Sequence, residues 1–562
     1  MDQLIKSRSG GQILVDALRI NGVERAFCVP GESYLAVLDA LHDVQSEIDL
    51  IVCRQEGGAS YMAEAYGKLT GKPGICFVTR GPGATNASVG VHTAFQDSSP
   101  MILFIGQVAR DQRDREAFQE IDFRAMFGAL AKWVVQIDDA RRIPELVSQA
   151  FHRAMNGRPG PVVVSLPEDM LTDIVDVIDA GPAKHIEPHA NDSDMQALQG
   201  LMHKAERPLM ILGGSGWSRR AVADIRRFAE RHDLPVAASF RCQDLIDNTH
   251  PNYIGDLGFA AGPTLVQAVK DADLLLVVGA RLGEVSTNGY TTIEVPTPRQ
   301  NLVHVHIGIE ELGRVYQPTL GINSSMESFA ARAVELPKTD ANRSHEWREW
   351  LNRSYQQNLI PTATPGPVQM AEIITWLRDR LPADAILTNG AGNYAVWVQR
   401  FYQYRQYRTQ LGPTNGSMGY GVPAAVAAKL TYPDRTVIAF AGDGCFLMNG
   451  QEIATAAHYC ANVIFIVVNN GMYGTIRMHQ ERNYPGRVSG TDLHNPDFAS
   501  LARAYGLHGE TVKCTGSFED AFERCVASNR PALIEVQVSR EALTPRQSLS
   551  QIREESQNRL SL

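Results

Sequence analysis

Two short stretches pair side chains that could hold a metal ion and a phosphate. Gly442-Asp443-Gly444 follows the apolar run 437–440, and Asn469-Asn470 closes a second apolar run, 463–468. A carboxylate and an amide oxygen are hard donors that suit Mg2+, which keeps phosphate oxygens of its substrate in its shell. The flanking glycines let backbone N–H groups come close to such phosphates. Alone, Gly-Asp-Gly equally fits a turn with a solvated aspartate. Paired with the asparagines at this spacing, each after an apolar strand, it is far more specific. A third group, Glu56, sits at the end of the apolar segment 50–53, just before Gly57-Gly58. By position alone it reads more readily as a solvated or paired surface carboxylate than as a functional one.

The elements around these residues alternate. Residues 437–470 read as strand, tight turn, helix from about 449 to 459, and strand, the repeat of a parallel sheet whose ligands gather at the carboxyl ends of strands. The amino-terminal third repeats strand–loop–helix units, with strands at 25–29, 50–53, 74–79 and 101–105. Two of its strands break into Pro30-Gly31-Glu32-Ser33 and Arg80-Gly81-Pro82-Gly83. The middle third does the same at 208–212, 235–238, 274–278 and 302–307, and Gly213-Gly214-Ser215-Gly216 after the first of these could cradle a dinucleotide. Proline-rich, weakly periodic stretches at 173–194 and 361–367 read as linkers. The fold class is therefore α/β, with three doubly wound parallel-sheet domains at 1–182, 190–345 and 366–562.

The metal and phosphate segment resembles the motif of thiamine-diphosphate (ThDP) enzymes: Gly-Asp-Gly, about two dozen residues, then Asn-Asn. The resemblance covers essentially the whole chain and is strongest to the acetohydroxyacid (acetolactate) synthases. It implies that Asp443, Asn470 and the Met472 carbonyl hold Mg2+. Gly442, Gly444, Cys445, Tyr473, Gly474 and the region Gly392-Asn393-Tyr394 would then surround the diphosphate. Gly416 would accept from the 4′-amino group, and Met418 would wedge under the bent cofactor. The segment RQEGGASYMAEAYGKLTG is similar to the one carrying the carboxylate that hydrogen-bonds N1′ of the aminopyrimidine, which makes Glu56 the expected catalytic carboxylate. Phe118 and Gln119, in a segment like the family's Ala-Phe-Gln-Glu, and Gly31 are expected on the substrate side.

The family's middle domain binds FAD in some members. Glu284 stands here where an arginine is expected, Gly308 where an aspartate is expected, and Asp256-Leu257-Gly258 replaces another loop. These departures count against FAD and leave it an open expectation. His479 replaces a common tryptophan and reads as a proton carrier or a surface residue. The implied reaction is decarboxylation of a 2-keto acid such as pyruvate with ligation to a second carbonyl compound. The alternatives are a non-ligating decarboxylase or a C–C lyase. Because the glutamate domain of one subunit serves the diphosphate domain of another in this family, a homodimer or dimer of dimers is expected.

Composition is that of a soluble globular protein. Hydrophobic residues make up 44% of the 562 and charged residues 20%, as in globular proteins. The net charge of −9 is spread along the chain, with no basic stripe for nucleic acid. No apolar run is long enough to span a bilayer, and the first residues lack a signal-peptide core. Eight scattered cysteines, among them Cys53, Cys76 and Cys460, read as buried thiols of a cytoplasmic protein.

Overall fold

The computed structural model describes residues 6–338 and 342–561; residues 1–5, on which part of the signal-peptide reading rests, lie outside this range. Three six-stranded sheets, each wholly parallel, carry the architecture. By contacts the chain forms two compact units. The first runs to Ile186 and includes Val426–Thr431 and Asn449–Tyr459; the second holds the remainder, with two of the sheets.

In the first unit the strand order is Asp49–Val52, Arg25–Cys28, Gly74–Val78, Met101–Gln107, Pro161–Pro167, Trp133–Gln136. Cys28 lies level with both Val52 and Phe77, so the loops after these three strands leave one edge together. The central strands are buried on both faces and read as continuous apolar runs, as parallel sheets require. Two elements escaped the sequence pattern. Trp133–Gln136 is a four-residue edge strand, too short to show a period. Ile174–Val177, inside the expected linker, pairs antiparallel with Lys6–Ser9.

In the second unit the middle sheet is ordered Tyr253–Leu257, Val236–Ser239, Pro208–Leu212, Leu274–Val278, Asn301–His306, Leu320–Asn323. Tyr253–Leu257 is fully buried, yet Gly255 and Asp256 interrupt its apolar pattern, so Asp256-Leu257, expected in a loop, belongs to a strand. The last sheet is ordered Gln410–Leu411, Ile386–Asn389, Val437–Gly442, Ile464–Asn469, Ala532–Gln537, His508–Val512. Here the expected turn at Gly-Asp-Gly is absent. The strand runs through Gly442 and a helix, Asp443–Asn449, begins at once. An aspartate in the first helical turn is favourable because it faces the positive end of the helix dipole. A 3-10 turn, Gly450–Glu452, then separates this helix from Ile453–His458.

Of the eight cysteines, all free, Cys460 and Cys514 are exposed and Cys242 is half-buried, against the expectation of buried thiols; Cys460 sits at the turn between that last helix and the next strand with φ 52°. Among the described residues no helix is long and apolar enough to cross a membrane.

The polar tail is a docked helix, Leu549–Leu560. Leu549 and Ile552 form a small core with Met472 and Leu543. Its ionic anchor is Glu481, fully buried, which accepts from Arg553 Nε and Nη2 at 2.8 and 2.7 Å, and from the Gly486 N–H at 2.8 Å. Arg553, first among these partners, draws the Glu481 pKa from 4.5 down to about 2. A depressed carboxylate stabilises the fold above its ordinary pKa and stops doing so as pH falls through the folded value. The helix should therefore stay docked from pH 7 to 5 and loosen between about 4.5 and 2. Arg553→Ala removes two charge-assisted bonds from a buried carboxylate that keeps Arg477 Nε at 3.2 Å and the Gly486 N–H, which costs about 2 kcal/mol. Hydrogen exchange at pH 7 should then find the amides of 549–560 deprotected in the variant, and unchanged protection would exclude the anchor.

Candidate active site

The second unit contains a cleft of about 880 Å³, part of it open to solvent, at the carboxyl edge of the last sheet. The sequence-selected residues of this region, from Gly392 to Gly474, all line it. Asp443 lies at its floor, 3% exposed. Its Oδ2 accepts from the Gly471 N–H at 2.9 Å and from Asn495 Nδ2 at 2.7 Å. Desolvation nevertheless raises its pKa above the ordinary value. Asn470 is in the next loop, its Oδ1 accepting from the Met472 N–H at 3.2 Å. The loop is clamped from outside: Arg540 Nη2 donates to Gly471 O at 2.7 Å and to Asp492 Oδ1 at 2.5 Å, and Tyr473 N–H donates to Thr491 O at 2.9 Å.

The remaining lining residues have defined partners. Asn393 Oδ1 accepts from Thr475 Oγ1 at 2.9 Å. Tyr394 packs its ring where a Cβ on Gly442 would come within 3.0 Å, and its hydroxyl accepts from the Gly390 N–H at 3.0 Å. Cys445 Sγ lies 3.2 Å from Gly419 N. Met418 is half-buried against the domain core, at the cleft wall. Gly416 has φ 69°, a left-handed conformation that suits glycine.

In the first unit Glu56 is the first residue of the helix Glu56–Thr70, so the glycine pair after it is helical and not a turn. It is half-buried, and its Oε2 accepts from Asn86 Nδ2 at 2.9 Å. A Cβ on Gly83 would stand 3.4 Å from its Oε1. Gly31 faces Thr79, whose hydroxyl is 3.0 Å from that of Ser33. Glu56, Gly31 and the 79–86 loop thus share one sheet edge. Phe118 and Gln119 lie in a loop. Phe118 is 72% exposed, and the Gln119 carbonyl accepts from the Gly81 N–H at 2.9 Å. Glu120 holds the loop by accepting from the N–H groups of Asp114 and Ala117 at 2.7 and 3.0 Å, bonds that lower its pKa.

Three thiamine pyrophosphate enzyme domain models match the chain in order: the N-terminal TPP binding domain at residues 8–126, the central domain at 195–332, and the C-terminal TPP binding domain at 390–536. The acetolactate synthase large subunit of Parasynechococcus marenigrum (strain WH8102) is 35% identical over 95% of this chain and 88% of its own length. The chain belongs to the thiamine-diphosphate enzyme family. Within it, the chain is similar to further acetolactate synthases: the large subunit of Lactococcus lactis subsp. lactis (strain IL1403), 30% identical over 96% of this chain and 94% of that protein, and isozyme 2 of Escherichia coli (strain K12), 29% identical over 94% and 95%.

The donor set fits the family's metal–diphosphate group. Among the described residues no cluster of three His, Cys, Asp or Glu side chains exists, so a cation at Asp443 would need amide, carbonyl and phosphate oxygens to fill its shell, as Mg2+ accepts. The glycine loop of the middle sheet fits a dinucleotide poorly. Trp217 Nε1 donates to Gly213 O at 2.9 Å, a Cβ on Gly214 would run into the Gly279 carbonyl, and one on Gly279 would lie 2.9 Å from Met326 Sδ. The glycines are used to pack protein on protein. Arg281 is paired with buried Glu311 at 3.3 Å, and Glu284 is exposed. His479 is also exposed, with its pKa lowered by partial desolvation and by Arg482.

Two polar residues of these sites were missed by sequence reasoning. Asn495, in a segment without periodicity, bridges Asp443 and Asn469 Oδ1, the latter at 3.0 Å. Glu452, fully buried, accepts from the N–H groups of Arg54 and Gln55 at 3.1 and 3.0 Å and from Thr455 Oγ1 at 2.6 Å, which fixes the turn that delivers Glu56. Burial raises its pKa. A Cβ on Gly58 would run into the same carboxylate, so the second glycine of the pair makes room for it. Glu452→Ala strands two backbone donors and should cost about 3 kcal/mol in denaturant unfolding, at 1–3 kcal/mol per unsatisfied buried group. A loss below about 1 kcal/mol would mean that the turn holds without it.

Proposed function

We propose that the chain catalyses ThDP- and Mg2+-dependent decarboxylation of a 2-keto acid, pyruvate first among candidates, and joins the remaining fragment to a second carbonyl compound, as an acetolactate synthase does. The observation that carries this reading is the buried Asp443 carboxylate beside Asn470 in the cleft of a chain that also presents Glu56 at a sheet edge. Asp443, the Asn470 amide oxygen and the Met472 carbonyl would hold Mg2+. Gly442, Gly444, Cys445, Tyr473 and Gly474, with Gly392-Asn393-Tyr394 opposite, would enclose the diphosphate. Met418 would press on the cofactor from the apolar wall, and the Gly416 carbonyl would accept from its amino group. Bound ThDP supplies the electron sink for the carboxyl group that leaves as CO2.

With ThDP bound, Glu56 would hold a proton at the pyrimidine ring nitrogen and so favour the reactive tautomer; Asn86 Nδ2 donates to its Oε2 and would orient the carboxylate for that task. Gly31, Phe118 and Gln119 line the substrate side, where Phe118 would exclude water. With its ring 72% exposed in the single chain, Phe118 suits a surface that a second copy covers. We therefore infer a homodimer, or a dimer of dimers, in which Glu56 of one copy serves the cleft of another. The packed glycine loop of the middle sheet supports an enzyme without flavin.

Glu56→Gln should bind ThDP and Mg2+ with little change while turnover falls at least a hundredfold, the scale of a lost proton-transfer group. Mixing Glu56→Gln with Asp443→Ala subunits should restore part of the activity, which a site built within one chain could not do. With pyruvate the product should be acetolactate; acetaldehyde alone would make the enzyme a simple decarboxylase. The purified protein should show no flavin absorbance near 450 nm, and added FAD should leave the rate unchanged; a stoichiometric flavin band would overturn the middle-domain reading.

A further inference from the structure

Still in the second unit but outside the cofactor cleft, a solvent-open cavity of about 1010 Å³ lies where the linker at 362–365 meets the segment 544–548. Two arginines line it: Arg400, on the helix Tyr394–Phe401, and Arg546, on the approach to Leu549–Leu560. Among the described residues neither has an ion-pair partner. Arg400 donates from Nε to Asn358 O at 2.7 Å and from Nη1 to Pro545 O at 3.4 Å. Arg546 donates from Nη2 to Ala261 O at 2.9 Å and to Ala260 O at 3.3 Å. These acceptors are neutral carbonyls, which hold the guanidiniums in place and leave both charges uncompensated. Arg400 Nη2 and Arg546 Nε and Nη1 keep N–H groups without a protein acceptor. Desolvation lowers the pKa of both, and for Arg400 the proximity of Arg546 adds to it, so the two cations share one concave region.

The start of the nearby helix is not the attraction. Its first N–H groups are taken by Ser548 Oγ, the Glu541 carbonyl and Glu541 Oε2. The hydroxyls of Thr362 and Thr544 are likewise spent on the carbonyls of Pro545 and Gln547. What remains is a pair of guanidinium forks, whose planar donors match phosphate oxygens and stay charged at any working pH. Two uncompensated positive charges are balanced by one dianion, which at neutral pH a phosphate monoester is and a simple carboxylate is not.

We propose that Arg400 and Arg546 form a binding site for a phosphate dianion, inorganic or carried by a nucleotide, separate from the diphosphate cleft. The site is mechanically close to that cleft. Arg400 shares a helix with Tyr394 and Trp397, and Ala542 and Leu543, four and three residues before Arg546, line the cleft as well.

The test is titration calorimetry on holoenzyme saturated with ThDP and Mg2+, so that the cleft is already filled, using inorganic phosphate and AMP as probes. Saturable binding of one equivalent per chain is expected, weakened at least tenfold by Arg546→Gln and by Arg400→Gln, with Arg546→Lys retaining part of it. Tighter binding of AMP than of phosphate would identify a nucleotide as the source, equal binding the inorganic ion. Absence of saturable heat with both probes, or equal affinity in wild type and Arg546→Gln, would overturn the proposal. Arg546 is exposed, so Arg546→Gln decides the matter even if Arg400→Gln fails to fold.

Discussion

A carboxylate taken out of water must find donors or a counter-ion, and the last domain is arranged around that requirement at Asp443. Its 3% exposure and raised pKa mark a charge that the protein alone only partly satisfies. Two donors, Gly471 N–H and Asn495, serve one oxygen, Oδ2. The same geometry locks the loop after the neighbouring strand, because Asn469 Oδ1 also accepts from Gly471 and Asn495, at 3.1 and 3.0 Å. Strand register makes this possible: Gly442 lies level with Val468, which brings the two strand ends out side by side. A cation placed there would relieve the buried charge, which links metal binding to the order of the 470–473 loop. Arg540 and the docked carboxy-terminal helix hold that loop from its other side, so the helix supports the site from beneath Met472.

In the first unit the corresponding constraint comes from a distant part of the sequence. Asn449–Tyr459 packs with the amino-terminal unit, and Glu452 brings an acceptor to the N–H groups of Arg54 and Gln55 almost 400 residues earlier. Tyr459 adds a second tie, its hydroxyl accepting from the Val52 N–H at 2.8 Å. The strand end before Glu56 is therefore held at two successive points. Hydrogen bonds of this kind inside a low-dielectric interior are stronger than in water and costly to leave half-made. That gives Gly58 its meaning, since any side chain there would displace the acceptor on which the turn depends.

This separation explains what the sequence could and could not reveal. Residues joined by local pattern were legible: the apolar runs before Asp443 and Asn470 predicted the central parallel strands, and the carboxyl ends of those strands predicted where the cleft residues gather. The edge strands Trp133–Gln136, Leu320–Asn323 and His508–Val512 were not, because short half-exposed strands lack a readable period. Gly-Asp-Gly was misread as a turn because glycine lowers helix propensity, whereas the aspartate at the helix start and the packing of Tyr394 and Tyr473 against Gly442 and Gly444 outweigh that preference here. Asn495 and Glu452 had no local signal at all. Their roles arise from contacts across the chain, which no periodicity encodes.

The loop bearing Phe118 obeys a different rule from the rigid strand ends. Asp114, Glu116 and Gln119 all adopt left-handed backbone angles, with φ of 60°, 54° and 67°. Each such residue other than glycine costs about 1 kcal/mol or more, and strain of this sort persists only where surrounding contacts determine the conformation. Those contacts are identifiable: the Glu120 carboxylate gathers two N–H groups from inside the loop, and Gly81 takes the Gln119 carbonyl. Since Gly81 opens the helix Gly81–Asp97, whose Asn86 reaches Glu56, the strained loop and the carboxylate are attached to the first two turns of one helix. Phe118 lies between two of these residues, Glu116 and Gln119, with its ring 72% exposed.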